Sequence, residues 1–462
     1  MHSLSIFGTS SDAGKSTLAF ALTYLLHRHG INVAPYKAQN VSNNAQVCDS
    51  GGEIAQPQHF AAESIHLKTT PDMNPVLLKS GEKGSASLII NGQSVGYKDV
   101  HAYYADIDTL KPIVKAAFER LLQSHECIVA ERAGSPVELN LMDKDLSNIY
   151  IATEFNTKII LVADIERGGV FASIWGVYNL LPPALQKNVV GIIVNKFRGD
   201  ITLFDDGITI IEEQFKLKVL GVVPYQPFNL GFEDAQSLMN YTQDLSKTIL
   251  SVGVIRLPHI SNFTDFEPLV ADSEIDLRFV STPSALQECD LIIVPGSKRV
   301  IHDLEWLRDQ GFMTLLQDEH KHILAICGGY EMMFESLHDK EGVEAPAQTT
   351  VVGLGRFKGT VYFEKEKILK KGDYQILGCT LQGYEMHNAH TPHLSLQSNR
   401  LLGTFVHGIL ESDTLRQKLF TAINPNYKGY HFKNYKAQAI DAFAHHVSEN
   451  IDLDYLIKSL YE

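Results

Sequence analysis

One stretch near the N-terminus constrains this chain more than any other. Leu4-Ser5-Ile6-Phe7 is an apolar run that leads into Gly8-Thr9-Ser10-Ser11-Asp12-Ala13-Gly14-Lys15-Ser16-Thr17, after which Leu18, Leu22, Leu25 and Leu26 recur at helical spacing. A strand, a small-residue loop and an amphipathic helix in that order put the loop at a helix N-terminus, where backbone N–H groups and the helix dipole favour a polyphosphate. The stretch reads as a nucleotide site. Gly8, Thr9, Asp12, Ala13 and Gly14 shape the cradle, Lys15 carries a point charge toward the outer phosphates, Ser16 offers a hydroxyl to Mg2+, and Thr17 opens the helix. The general pattern has four residues between its first glycine and Gly-Lys, whereas five separate Gly8 from Gly14 here, so the loop is a variant. ATP with Mg2+ is the expected occupant.

The first half continues as alternating strands and helices. Apolar strand candidates at 4–7, 33–36, 128–131, 159–163, 189–194 and 219–223 imply a mostly parallel sheet covered by helices. Ligands in such sheets sit at the carboxyl ends of strands. At 462 residues the chain exceeds one ordinary core. The rhythm breaks through Pro224-Tyr225-Gln226-Pro227 and a polar run at 240–247, and a new strand starts at 249–257. Two domains are expected, 1–245 and 246–462. The second is again α/β, with strands at 291–294 and 323–326, a helix at 301–310 and another after Gly329 through Phe334.

A second reaction centre follows from that domain. The strand ending at Ile326 delivers Cys327 into Gly328-Gly329, and a nucleophile on a tight strand-to-helix turn needs such small neighbours. The helix start is expected to lower the thiol pKa. Phe405-Val406-His407-Gly408 supplies a histidine suited to act as base and then acid for a thiolate. Val294-Pro295-Gly296-Ser297-Lys298 ends another strand, and the Gly296 N–H, with that of Gly328, is an oxyanion candidate.

Composition excludes several classes. The net charge of -14 gives no overall basic field to hold nucleic acid. No run approaches the roughly 18 apolar residues of a membrane span, and no basic, then apolar leader precedes the first strand, so no membrane partner and a cytoplasmic location are expected. Cys48, Cys127, Cys289, Cys327 and Cys379 are widely spaced, which argues against a disulfide frame or a zinc site built on cysteines.

Cys-Gly-Gly-Tyr after a strand, the preceding Pro-Gly-Ser-Lys and the later Val-His-Gly resemble class I glutamine amidotransferase domains of the cobyric acid and cobyrinate synthase group. The N-terminal loop resembles dethiobiotin-synthetase-like ATPase domains. Lys37-Ala38-Gln39-Asn40, Asp72 to Lys79, Ala133-Gly134-Ser135-Pro136, Asn195-Lys196-Phe197-Arg198-Gly199-Asp200 and Ile260-Ser261-Asn262-Phe263-Thr264-Asp265-Phe266 resemble the cobyric acid synthase family in particular. The resemblance implies that glutamine is hydrolysed at Cys327 through a thioester with His407 moving the proton. It implies that ATP activates a corrinoid carboxylate, and that ammonia turns the acyl phosphate into an amide on the b, d, e and g side chains of adenosylcobyrinic acid a,c-diamide. Cobyrinic acid a,c-diamide synthase, with the same two domains, and a non-catalytic nucleotide-binding relative are the alternatives.

Within that resemblance Ser16, Glu131 and Asp49 are metal candidates, and Lys37 and Asn195 join Lys15 at the nucleotide. Lys79 and Lys196 are further cations for compensating charge. Asp143 and Asp145, in Asn140-Leu141-Met142-Asp143-Lys144-Asp145, match a segment near the carboxylate substrate, and alternation would put both on one side. The departures are local. Arg132 stands for glycine, Ser50 displaces Asp49 by one position, Ala55-Gln56-Pro57-Gln58 lacks an arginine, and Glu166 stands for aspartate. Glu331 replaces glutamine, where an acid would either raise the thiol pKa or disturb glutamine binding. Ile409 stands where many class I amidotransferases carry an acid, leaving a Cys-His dyad.

Overall fold

The computed structural model describes residues 1–80, 85–131, 134–231 and 245–462, so Arg132, Ala133 and the polar run up to residue 244 lie outside the described residues. The chain forms two compact units, one of Met1–Asn43, Cys48–Phe228 and Ala437–Glu462, the other of Asn44–Val47 and Asn229–Lys436. A single cut near 245 leaves out this interleaving. The C-terminal segment returns to the first unit because its apolar groups find partners there: Phe443 packs on Phe20 and Phe228 at ring distances of 6.2 and 4.7 Å. Asp452 N donates to Leu220 O at 2.7 Å, and His2 N to Leu460 O at 2.7 Å.

The first unit is built on a six-stranded sheet in the order Val219–Pro224, Val189–Phe197, Lys158–Asp164, Leu4–Gly8, Cys127–Glu131, Val33–Tyr36. Every neighbouring pair is parallel. Strands buried on both faces read as continuous apolar runs, which is why all six were visible in the sequence. Leu4–Gly8 is central, and the chain leaves it toward opposite edges of the sheet, so the loop at its carboxyl end opens into the crevice where such sheets hold ligands. A smaller sheet of Gln39–Val41, Val76–Ser80, Ser85–Ile90 and Gln93–Asp99 was not anticipated; its outer strand is mostly solvent-exposed.

The second unit repeats the plan. Ile275–Val280, Leu250–Ile255, Leu291–Val294, His322–Ile326 and Leu401–Thr404 form a parallel sheet, with Ser395–Ser398 antiparallel at one edge. Beside it lies a four-stranded sheet dominated by the hairpin of Phe357–Ile376 with Cys379–His390. The helix after Cys327 is shorter than its apolar spacing suggests. It spans Gly328–Met332, and Phe334 instead begins the strand Phe334–Asp339, paired with Phe357. Sheet pairing overrides a local pattern that periodicity cannot distinguish from a buried helix.

Candidate active site

In the first unit, Lys15–Arg28 is the helix that the phosphate loop opens, with Gly14 at its N-terminus in the left-handed region at φ +85°. A Cβ on Gly14 would stand 2.2 Å from Asn195 Nδ2, which donates to Ala13 O at 2.9 Å; the glycine thus admits the asparagine that braces the loop. Thr9 N donates to Val162 O at 2.9 Å and Thr17 Oγ1 to Gly14 O at 2.9 Å, tying both ends of the cradle. Lys15 folds back over Gly8, with Nζ donating to Ser10 O at 2.8 Å. Asp12 meets Arg167 at 3.0 Å, but both side chains are exposed and such a pair adds little.

Glu131 ends the strand beside Leu4–Gly8 and is buried. Its Oε1 accepts from Gln58 Nε2 at 2.7 Å and lies 3.3 Å from Nζ of the fully buried Lys37. Its Oε2 is out of solvent and has no protein hydrogen-bond partner among the described residues. A buried carboxylate with one oxygen saturated and the other idle suits a hard cation. Ser16 and Glu131 line the same cavity, so two of the three metal candidates converge. Gln58 was missed in the sequence, where it stood only as part of a segment lacking an arginine.

Other expected residues lie elsewhere. Asp49 is exposed and its Oδ2 accepts from Thr69 N at 2.8 Å and Thr69 Oγ1 at 2.9 Å, a loop clamp outside that cavity's lining. Lys79 pairs with buried Glu53, and Lys196 with Asp164 at 3.1 Å. Asp143 and Asp145 do not share a side. Met142–Lys144 is a turn of 3-10 helix, so strand alternation does not apply; Asp143 is exposed and Asp145 buried. Asp145 Oδ1 accepts from Ser147 N at 2.7 Å and Asn148 N at 2.8 Å, which organises the start of the next helix.

In the second unit Cys327 sits between the strand His322–Ile326 and its short helix at φ +49°, ψ −110°. A non-glycine residue there is strained, a feature that recurs at nucleophile turns. Its neighbours have no room for a side chain: a Cβ would stand 2.8 Å from Ser297 N at Gly328 and 2.1 Å from Val294 O at Gly329. A Cβ on Gly296 would stand 3.2 Å from His407 Cε1, so this glycine brings the Pro295-Gly296-Ser297 turn against the histidine. The cysteine turn, the oxyanion turn and His407 therefore meet.

The histidine has an acid after all. His407 Nδ1 lies 2.7 Å from Asp265 Oδ2, while Asp265 Oδ1 accepts from Gly408 N at 2.7 Å. All of this is buried, with Asp265 3% and His407 1% exposed. The Tyr384 ring stacks on His407 at 5.1 Å, and its hydroxyl is held by Asn262 Nδ2 at 2.9 Å. A carboxylate at Nδ1 keeps the proton there and leaves Nε2 to accept one. The dyad expected from the absence of an acid near Ile409 is corrected to Cys327, His407 and Asp265. The acid comes from the turn Phe263–Phe266, far upstream; its signal was present in the string at 260–266, but only folding relates it to His407.

The expectation of an acidified thiol is also overturned. Burial pushes the Cys327 thiol well up, Glu331 adds to the rise, and the Gly328 backbone contact opposes it. A helix of five residues contributes a small field at best. Glu331, buried one turn on, is itself pushed well above the carboxylate range by burial and then by Glu344. Burial thus favours the neutral form of the thiol.

The two units match two family models: the CobQ/CobB/MinD/ParA nucleotide binding domain over residues 4–229 and the CobB/CobQ-like glutamine amidotransferase domain over 251–415. A cobyric acid synthase of Acinetobacter baylyi is 52% identical over 464 residues, covering 100% of each chain. The chain belongs to the cobyric acid synthase family. Further members are those of Chlorobium phaeobacteroides, 36% identical over 99% of this chain and 96% of the relative, and of Vibrio vulnificus, 37% identical over 98% of each. The family likeness carried by the long motifs is borne out, as is the α/β class of both units. The chain is a glutamine-hydrolysing amide ligase of cobalamin synthesis whose first domain binds ATP. Among the described residues no helix is long and apolar enough to cross a membrane.

Proposed function

We propose that this chain converts adenosylcobyrinic acid a,c-diamide to adenosylcobyric acid by amidating the b, d, e and g carboxylates with ATP and glutamine. The observation that carries the glutaminase half is the 2.7 Å contact of Asp265 with His407 beside a strained, buried Cys327. Asp265 holds the Nδ1–H tautomer, and Nε2 takes the Cys327 proton as sulfur attacks the glutamine amide carbon. The oxyanion that forms is met by the Gly296 and Gly328 N–H groups. The imidazolium then protonates the amide nitrogen as the C–N bond breaks so that it leaves as ammonia, a thioester remains, and water activated by the same nitrogen releases glutamate.

In the first unit the loop from Gly8 to Thr17 cradles ATP, Lys15 turns from Ser10 to the outer phosphates, and Asn195 keeps the loop in shape. A carboxylate cannot expel oxide, so transfer of the γ-phosphoryl group to it creates a leaving group that ammonia displaces. Ser16 and the idle Oε2 of Glu131 would hold Mg2+, which neutralises phosphate charge while bound. Lys37 and Gln58 keep Glu131 aimed. Asp145 supports the turn that presents Asp143 toward the corrinoid carboxylate.

The test is a mass-spectrometric time course with adenosylcobyrinic acid a,c-diamide, ATP, Mg2+ and glutamine, run with wild type and Cys327→Ala. Four successive amidations are expected, and Cys327→Ala should support them only from added ammonium. Amidation of cobyrinic acid with no action on its a,c-diamide would overturn the substrate assignment. Glutamate release by Cys327→Ala would overturn the nucleophile.

A further inference from the structure

We propose that His259, His302 and Asp303 form a binding site for one divalent transition metal ion of the zinc class, on the outer side of the turn that carries the oxyanion glycine. His259 follows the strand Leu250–Ile255, and His302 and Asp303 lie in the first turn of the helix Val300–Asp309. One ligand atom from each of the three lies within 4.8 Å of the others. His259 Nδ1 is 2.8 Å and His302 Nδ1 3.4 Å from the same oxygen, Asp303 Oδ1, and the two rings stand at 88° with centroids 4.7 Å apart. Atoms that share a zinc ion at about 2.0–2.2 Å are roughly 3.0–3.5 Å apart, so small shifts of the side chains admit the ion.

The carboxylate is prepared for that role. Asp303 is fully buried, and its Oδ2 accepts from Ser297 Oγ at 2.6 Å and from His259 N at 3.2 Å. With Oδ2 so held, Oδ1 is aimed between the imidazoles, the outer-shell arrangement that fixes metal ligands. Two imidazoles and one carboxylate select a borderline cation over Mg2+ or Ca2+. Binding needs only that each Nδ1–H proton move to Nε2, and His302, exposed at the rim, leaves a position open to water.

The position gives the site a consequence. Ile260 bridges Ser297, Ser261 N donates to Gly296 O at 3.0 Å, and Lys298 N donates to His259 O at 3.0 Å. The ion would therefore clamp the segment that leads to Asp265 against the turn that holds Gly296, and it would stabilise the unit.

The test is titration of chelator-treated full-length protein with ZnCl2 by calorimetry, with Co2+ absorption as the second readout. One equivalent should bind and raise the melting temperature. His302→Ala and His259→Ala should each weaken binding by about 100-fold or more, given that even outer-shell changes cost about 10–100-fold. Co2+ should give imidazole and oxygen-type bands without a thiolate charge-transfer band. Since the His302 side chain is 45% exposed, His302→Ala should keep its metal-free melting temperature and its glutaminase activity. No saturable Zn2+ binding by wild type, binding by either variant as tight as that of wild type, or a thiolate band would overturn the proposal and leave a hydrogen-bonded cluster.

Discussion

Asp265→Asn tests the glutaminase reading most directly, because the structure says what the amide must do. Both oxygens of Asp265 accept, one from His407 Nδ1 and one from Gly408 N, each at 2.7 Å. Asparagine has one oxygen and one NH2 group, so it can accept from only one of them. If the oxygen stays on His407, the NH2 faces the Gly408 N–H in a buried site, and the unsatisfied donors cost about 1–3 kcal/mol. If the oxygen goes to Gly408, the NH2 faces Nδ1, and the imidazole can answer by moving its proton to Nε2. The second arrangement pairs both the Gly408 N–H and Nδ1 and should be adopted. It costs little stability but removes the base, since Nε2–H cannot take the Cys327 proton. A wrong tautomer at such a site lowers turnover by about 10⁴-fold, and because burial here favours the neutral thiol no ion pair softens the loss. The expected result is glutamate release reduced by roughly 10³–10⁴-fold, a melting temperature near wild type, and synthesis from added ammonium unchanged. Residual activity should rise with pH as hydroxide replaces the base. Glutaminase within about threefold of wild type, against the 10⁴-fold expected for a lost tautomer, would refute Asp265 as the residue that orients His407.

Three further outcomes follow from the geometry. Glu131→Gln should abolish the Mg2+ dependence of nucleotide binding and cut synthesis by about 10²-fold or more while glutaminase persists, measured by ATP titration with and without Mg2+. Gly329→Ala should destabilise strongly, by about 3 kcal/mol or more, because its Cβ would be driven into Val294 O at 2.1 Å; denaturant unfolding reads it, and a wild-type midpoint would contradict the packing. Glu344 has its Oε2 out of solvent, and burial raises its pKa from 4.5 to about 8. The folded state then keeps a proton that the unfolded chain sheds, so this group's relative stabilisation is full below about 4.5 and lost as pH rises through about 8. Glu344→Gln should therefore gain on wild type in melts at pH 8 and show little gain at pH 5, and the reverse order would contradict the burial.

The six strands of the first parallel sheet and Leu250–Ile255, Leu291–Val294 and His322–Ile326 of the second were legible in the sequence because strands buried on two faces must be apolar throughout, and turns at strand ends carried Gly8 to Thr17, Cys327 and His407; Ile275–Val280, half exposed along its middle, and Leu401–Thr404 were not foreseen. Local chemistry and the family strings also located Glu131, Lys37 and Asn195. What failed were inferences that extended a local rule past its reach. Alternation was applied to Asp143 and Asp145 in a segment that is a turn of 3-10 helix, helical spacing carried the Cys327 helix to Phe334, and a dipole argument ignored how deeply the thiol is buried.

By itself, then, the sequence determined the classes of chemistry present: a phosphate loop requires its glycines and lysine in one contiguous run, and a nucleophile turn requires small residues beside the cysteine. Only the tertiary structure decided which distant groups complete them. Asp265 reaches His407 across 142 positions of chain and Gln58 reaches Glu131 across 73, separations over which no periodic signal survives. Such pairs form because a buried imidazole or carboxylate must find a partner inside the fold, and the fold, not the order of residues, brings that partner within 3 Å.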